Sequence, residues 1–268
     1  MRRILACVSL LMPLTGLAPG WATESESTDL SILTWNILHG TSAEGELNLE
    51  AQGRYISDRS ADLVFLQEID ERCERSDRVD QMGVLSELTG MNSAFGSFMP
   101  YQGGRYGLGS LISLPVRSTR ALRLPDGDEP RVALINEVEV LGQPLLAVNV
   151  HFNWTQDDTS RFAQAVALLT ELDSIDLPVI VGGDFNDDPD SRTVKAFFEA
   201  GFRQVESPGA SWNALAPSVD IDHILVRSGK KLRLEPLGGK VLTDSTLSDH
   251  RPVAARIRVH ATDPDTRN

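Results

Sequence analysis

Cysteine is nearly absent from these 268 residues: Cys7 and Cys73 are the whole supply. That excludes a disulfide-stapled scaffold and a cysteine-built zinc cluster. Lysine is almost as scarce, four against 21 arginines, and the first is Lys195, so no amine stands near the earlier motifs. Positive charge as a whole is in deficit, 25 Lys and Arg against 38 Asp and Glu, for a net charge of −13. A domain that grips nucleic acid indiscriminately usually presents a basic face, so the balance weighs against that class without excluding a nuclease. Several catalytic signatures are missing too. Gly238-Gly239-Lys240 runs into Val241, so there is no phosphate-binding P-loop. No G-x-S-x-G elbow, H-E-x-x-H pair or CxxC occurs. No internal repeat or Pro/Gly-rich linker divides the chain, and no apolar run is long enough to span a membrane.

What is present begins with Met1-Arg2-Arg3, an apolar run from Ile4 to Leu17, and Gly20-Trp21-Ala22. This order reads as a signal peptide over 1–22, which implies export to the periplasm or the exterior. Its removal takes two arginines and Cys7, leaving a charge of 23 − 38 = −15 and a single thiol. The expected domain is 23–260, with 261–268 a disordered polar tail. Within the domain, β-type runs alternate with helical patterns. Strands are expected at 30–37, 62–67, 93–99, 108–114, 116–124, 131–140, 145–151, 179–182, 219–226, 232–241 and 252–259. Helices are expected at 49–60; at 79–88, capped by Ser76 or Asp77 and stopped by Gly90; at 159–172, burying Phe162, Val166, Leu169 and Leu172; and at 192–200. A hairpin at Gly142 demands antiparallel pairing, so the fold class is mixed α/β rather than a purely parallel sheet.

The informative pattern is positional. Apolar strands end in Asn36, in Gln67-Glu68, in His151 and in Asp184-Phe185-Asn186. One such polar residue is ordinary turn chemistry; four, with a Glu and a His among them, suggest a site built at the rim of a rigid sheet. Ser248-Asp249-His250 adds a carboxylate beside an imidazole. Asp222 lies in an apolar strand, where an unpaired carboxylate is expensive, and His250 is a sensible partner. Asp220 shares its face and reads either as a backbone-bonded edge acid or as half of a two-carboxylate metal site. The oxygen-rich set Asn36, Glu68, Asp184, Asn186 and Asp249 suits Mg²⁺, with Mn²⁺ or Ca²⁺ as alternatives. Among the arginines, Arg72, Arg75 and Arg78 cluster after Glu68, and Arg131 and Arg161 fall near other motifs. Arg forks suit phosphate oxygens, and Arg75 and Arg161 are the substrate-binding candidates. His39 and His223 are further imidazoles that could face the site, and His260 belongs to the surface. Trp154, on the loop after His151, is a lone candidate for lipid contact, with a half-buried Trp the plainer reading.

Together, Thr34-Trp35-Asn36, Leu66-Gln67-Glu68, Asn149-Val150-His151, Gly182-Gly183-Asp184-Phe185-Asn186, Ile221-Asp222-His223-Ile224 and Ser248-Asp249-His250-Arg251-Pro252 resemble the endonuclease/exonuclease/phosphatase family, in the same order. The resemblance implies a four-layer α/β/β/α sandwich of two packed, mostly antiparallel sheets. It implies that Asn36, Glu68 and Asp249 hold a divalent metal and that Asp184 orients or deprotonates the attacking water. It implies that Asn186 holds the phosphate or the metal, and that His250, aligned by Asp222, neutralises the phosphoryl oxygens or moves a proton. The same resemblance implies that His151 is a second imidazole, near the leaving group. Tyr106 matches a phosphate-contacting Tyr; where relatives often carry Asn soon after, this chain has Leu108-Gly109, and His223 stands where they usually have Tyr. The expected activity is hydrolysis of phosphate esters, first of all diesters, by a monomer. A nuclease, a sphingomyelinase-like lipid phosphodiesterase and an inactive binding module of the same fold are the alternatives.

Overall fold

The computed structural model describes residues 26–207, 209–243 and 246–262. The signal peptide assigned to 1–22 therefore lies outside the described residues. Six strands form one sheet: β1 (Ser27–Asn36), β2 (Leu63–Glu71), β3 (Asn92–Tyr101), β4 (Gly104–Ile112), β11 (Leu232–Val241) and β12 (Val253–Ala261), in the order β11-β12-β1-β2-β4-β3. Six form the other: β5 (Val116–Arg123), β6 (Val132–Val140), β7 (Gln143–His151), β8 (Val179–Asp184), β9 (Arg203–Gln204) and β10 (Asp222–Arg227), in the order β5-β6-β7-β8-β10-β9. Each sheet holds one parallel pair, β1 with β2 and β7 with β8, among antiparallel neighbours. Parallel neighbours need a crossover. Helix α1 (Leu49–Ser57) supplies the first and α3 (Thr159–Asp173) the second, while α2 (Gln81–Thr89) and α4 (Arg192–Glu199) complete the two outer layers.

The layering follows from alternation along the central strands. Ile32 and Phe65 join Ala147, Ile180 and Ile224 between the sheets, whereas their neighbours Leu33 and Leu66 pack outward on Ile56 and Leu85. On the far side Val148 and Val181 meet Leu168 of α3 and Phe197 of α4. Strands covered on both faces read as continuous apolar runs, which is why β1, β2, β7 and β8 stand out in the sequence. The four-layer α/β/β/α sandwich is thus the observed architecture, an α+β fold of two mixed sheets. Among the described residues no helix is long and apolar enough to cross a membrane.

Three local expectations change. Helix α3 buries Arg161, Ala165, Leu168 and Leu172, while Val166 is 41% exposed. One residue of rotation is about 100°, and polar anchors set it: Gln164 accepts from the Asn153 backbone, and Arg161 is drawn inward by Asp187. Asp80, rather than Ser76 or Asp77, caps α2 by accepting from Gly83 N at 3.1 Å; the two earlier residues lie in the turn before it. Ala261 and Thr262, expected in the disordered tail 261–268, are held instead: Ala261 pairs with Leu232 and Thr262 N donates to Lys231 O. Residues 263–268 lie outside the described residues.

Candidate active site

Parallel strands end at the same edge, and this fold uses both of its parallel pairs to do so. Asn36 closes β1, Glu68 sits at a bulge within β2, which runs on to Glu71 rather than ending at Gln67, His151 closes β7 opposite Asp184 of β8, and Asp222 opens β10 opposite Asp184 on its other side. These ends line a cavity of ≈ 580 Å³ with Asp249 and His250 from the loop before β12. Arg75, Tyr106, Arg131 and Asn186 complete its working walls. Asp222 sits behind His250, away from the opening, and is 1% exposed.

The motif residues around the site hold it in place. Glu68 has a left-handed backbone (φ 61°) at a bulge in the β2–β4 pairing between Leu66 and Ile69. A regular strand would send Gln67 and Glu68 to opposite faces; the bulge lets both turn to the inter-sheet side, and such strain clusters where function demands it. Gln67 donates to Asn149 Oδ1 at 2.8 Å, and Asn149 donates in turn to the backbone oxygens of Leu66 and Gly109, tying the sheets together beneath the cavity. A Cβ on Gly183 would overlap the Val150 carbonyl, so only glycine lets β8 approach β7 this closely. Trp35 Nε1 donates to His250 O at 2.9 Å and Ser248 Oγ to Asn36 O at 2.7 Å, pinning the Ser248–His250 turn to the end of β1.

Charge is unevenly shared. His250 Nδ1 lies 2.8 Å from Asp222 Oδ2, and its Nε2 lies 3.7 Å from Asp184 Oδ2. Burial works against the charged ring, but the two carboxylates outweigh it and raise His250 to about 10, so it is an imidazolium at neutral pH. Asp184 is raised above the carboxylate range by burial and by the charge of Asp222. Glu68 keeps its charge: burial pushes it up, yet hydrogen bonds from His39 and Asn36 and the positive field of the histidines bring it to about 2. His151 is lowered well below the ordinary histidine value by burial and by Arg131, and so is neutral. With His151 neutral, the low value of Glu68 at pH 7 rests on His39, Asn36 and His250. Asn36 Nδ2 stands 3.2 Å from both Glu68 and Asp184, joining the two carboxylates.

The tightest carboxylate–imidazole group among the described residues is Asp184, Asp222 and His250, with ligand atoms within 4.8 Å of one another. Within it Asp222 is engaged by His250 Nδ1 at 2.8 Å, so the group reads as a carboxylate–imidazole pair beside Asp184. Glu68 and Asp249 instead present carboxylate oxygens to one cavity, donors that fit a hard dication, while Asn36 beside them turns its amide nitrogen to Glu68 and Asp184 and its oxygen to Leu38 N at 3.1 Å, so an ion there needs the Asn36 amide turned over.

Most sequence-predicted residues come together here: Asn36, Glu68, Tyr106, His151, Asp184, Asn186, Asp249 and His250 line the cavity, and Asp222 backs it. Asn186 donates to Phe152 O at 3.0 Å and closes a turn on Asp184. Arg75 reaches the cavity but is gripped by Asp70 at 2.8 and 2.9 Å. Arg161 does not reach it. Only 6% exposed, it spends Nε on Asp187 and Nη1 on the carbonyls of Asn153 and Thr155, so it braces the loops rather than contacting substrate. His223 is no third imidazole of the site; it faces the other side of β10, towards Glu206. Asp220 accepts from Gly209 N as an edge acid. Trp154, expected half-buried, is 60% exposed on the cavity rim. His39, named from the sequence as an imidazole that could face the site, stands 3.5 Å from Glu68, and Arg131, noted there only as falling near a motif, lines the cavity.

Residues 33–250 match the family model of the Endonuclease/Exonuclease/phosphatase family. A UPF0294 protein of Vibrio cholerae is 27% identical over 246 residues, covering 86% of this chain and 78% of that protein. Among solved structures, an endonuclease/exonuclease/phosphatase from Bacteroides vulgatus superposes with a TM-score of 0.69 at 18% identity, covering 86% of this chain and 98% of that one. A mannosyl-6-phosphatase of Bacteroides thetaiotaomicron gives 0.69 at 17% (85% and 99% covered), and a humanized D. rerio TDP2 gives 0.66 at 19% (85% and 98% covered). At these identities the structures establish a shared fold.

Proposed function

The chain belongs to the endonuclease/exonuclease/phosphatase family, and from that premise we propose that it is a metal-dependent phosphoesterase acting first of all on phosphodiesters. The observation that carries this reading is the convergence on one cavity of a charged His250–Asp222 pair, a raised Asp184 and an ionised Glu68. Phosphate-ester hydrolysis needs those three things: a cation on the phosphoryl oxygens, a base for water, and an anionic anchor.

Glu68, Asn36 and Asp249 would hold the ion. Bound Mg²⁺ or Mn²⁺ supplies Lewis-acid polarisation of the phosphoryl group. The remaining work falls to the chain. His250 presents a positive Nε2 to the phosphoryl oxygens, its ring fixed through Nδ1 by Asp222. Asp184, held by Asn36 and by Asn186 N, is a carboxylate with the basicity to orient a water and take its proton. His151, neutral, can donate a hydrogen bond to the departing alkoxide. Asn186 and Tyr106 border the substrate from either side. One chain supplies every group named, which supports a monomer as the working unit. The basic, apolar and small-residue order of 1–22 supports export.

The test is an assay of the purified protein on bis(p-nitrophenyl) phosphate, DNA, RNA, sphingomyelin and phosphomonoesters, each with Mg²⁺, Mn²⁺ or EDTA. Turnover that EDTA abolishes and that Asp184→Ala and His250→Ala lose is the expected outcome. Activity surviving EDTA and both substitutions would sink the metal mechanism. No turnover on any substrate would leave a binding module in its place.

A further inference from the structure

Arg131, the residue just before β6, is 1% exposed, and two of its three guanidinium nitrogens, Nε and Nη1, have no hydrogen-bond partner. Its third, Nη2, meets Glu129 at 3.2 Å. Its guanidinium lies 4.8 Å from the Phe98 ring centre, and it borders the same cavity as His151 and Tyr106. A buried cation with unmade hydrogen bonds is costly. The surroundings nevertheless hold it in place. Phe98 meets Tyr106 edge to face at 5.4 Å, and Tyr106 in turn stacks beneath Arg75 at 4.9 Å. Two arginines therefore flank a pair of rings, with Arg131 also beside the Tyr106 hydroxyl, which holds both guanidinium groups in place while Nε and Nη1 of Arg131 stay unbonded. Arg75, by contrast, already has a two-point partner in Asp70. Unsatisfied donors on a preorganised group beside a substrate cavity are what an anion-binding position requires.

We infer that Arg131 is a substrate-binding residue, taking an anionic phosphate oxygen in the cavity that Glu68 and Asp249 also line. Only the identity of the anion as phosphate rests on the phosphoesterase reading. Such a contact is present in the ground state and the transition state alike, so it lowers KM and leaves kcat nearly untouched. His250 and Asp184 act on kcat, which separates the roles.

The experiment compares wild type, Arg131→Met and Arg131→Lys in three measurements: inorganic phosphate affinity by calorimetry with Mg²⁺ present, KM and kcat on bis(p-nitrophenyl) phosphate, and melting temperature. A charged hydrogen bond lost corresponds to roughly 10–100-fold in affinity. The expected result is phosphate binding weakened by about that factor in Arg131→Met and less in Arg131→Lys, KM raised in step, kcat kept, and a melting temperature equal to or above wild type. The last follows because methionine removes the unmade bonds while filling the volume. A purely structural Arg131 gives the reverse, a lowered melting temperature with phosphate affinity intact, and that result overturns the inference. Should Arg131→Met fail to fold, Arg131→Lys decides: unchanged affinity overturns the inference and weakened affinity upholds it. Phosphate binding is read without turnover, so absence of activity in the wild type would count against the phosphoesterase reading alone.

Discussion

Strand β10 begins with Asp222 and His223, and because alternate residues face opposite ways, each joins a different carboxylate–imidazole pair. Asp222 meets His250 at 2.8 Å; His223 meets Glu206 at 3.5 Å. Both rings are buried and both are held above the ordinary histidine value by their carboxylates. Only one belongs to a site. His223 uses Nε2 on the Asp187 carbonyl at 2.9 Å and is closed on both nitrogens. His250 is fixed through Nδ1 alone, and its Nε2 side borders the cavity beside Asp184. A buried ion pair is therefore no mark of catalysis. What sets the candidate catalytic pair apart is bonding capacity left over on the side of a cavity.

The largest effect should come from setting the two pairs against each other. His250→Ala is expected to lower kcat by roughly 10³–10⁴-fold, the upper range for a group that moves or neutralises charge at the reacting centre. Glu206→Gln, the matching lesion in the closed pair, should leave kcat at the wild-type level. Equal losses in steady-state assays would erase the distinction between them. His151→Ala comes next. With a neutral ring near the leaving oxygen, its loss should cost about 10²–10³-fold in kcat. Mg²⁺ affinity, read by calorimetry, should not change, because His151 is not among the proposed ligands. An unchanged rate would remove His151 from the mechanism.

On stability the ranking reverses in favour of the closed pair. Glu206 accepts from Ile224 N at 3.1 Å and from Gln204, besides facing His223. Glu206→Ala strips a buried ring and a buried amide of their partner at once, at a cost of about 1–3 kcal/mol per group left unsatisfied. Urea denaturation should show this as a lower midpoint with the slope preserved, while phosphodiesterase activity of the folded fraction stays near wild type.

The same contrast explains what could be read from the sequence. Asn36, Glu68, His151 and Asp184 were legible because each interrupts an apolar run, a one-dimensional signal. The order of the strands was not, since pairing β12 with β1 joins residues more than 200 apart and leaves no local trace; it came only with the family resemblance. The inward turn of Arg161 was missed because apolar periodicity placed Phe162 and Val166 on the buried face, whereas a buried ion pair fixed the helix rotation. Arg131 was invisible as a binding group. Two guanidinium nitrogens left unbonded beside a cavity are a property of three-dimensional surroundings, and an arginine just before a strand looks the same with or without them.

The smallest expected effect concerns pH. Burial alone would lower His223, but Glu206, the Asp187 carbonyl and Asp220 raise it above 6.5. The folded protein therefore holds this proton more tightly than the unfolded chain does. Stability from the pair is fully present below the unfolded value of about 6.5 and fades as pH rises through the higher folded value. Across pH 6 to 9, wild type should lose more unfolding free energy than His223→Gln, in which no proton is exchanged at this position. The difference between the two proteins cancels most other titrations. Parallel stability curves in urea would show that folding leaves the ring's proton affinity unchanged, and a wild type that gains stability relative to His223→Gln as pH rises would show a ring neutral in the folded state, held by geometry rather than by charge. In that case the two pairs on β10 would differ in protonation as well as in access to the cavity.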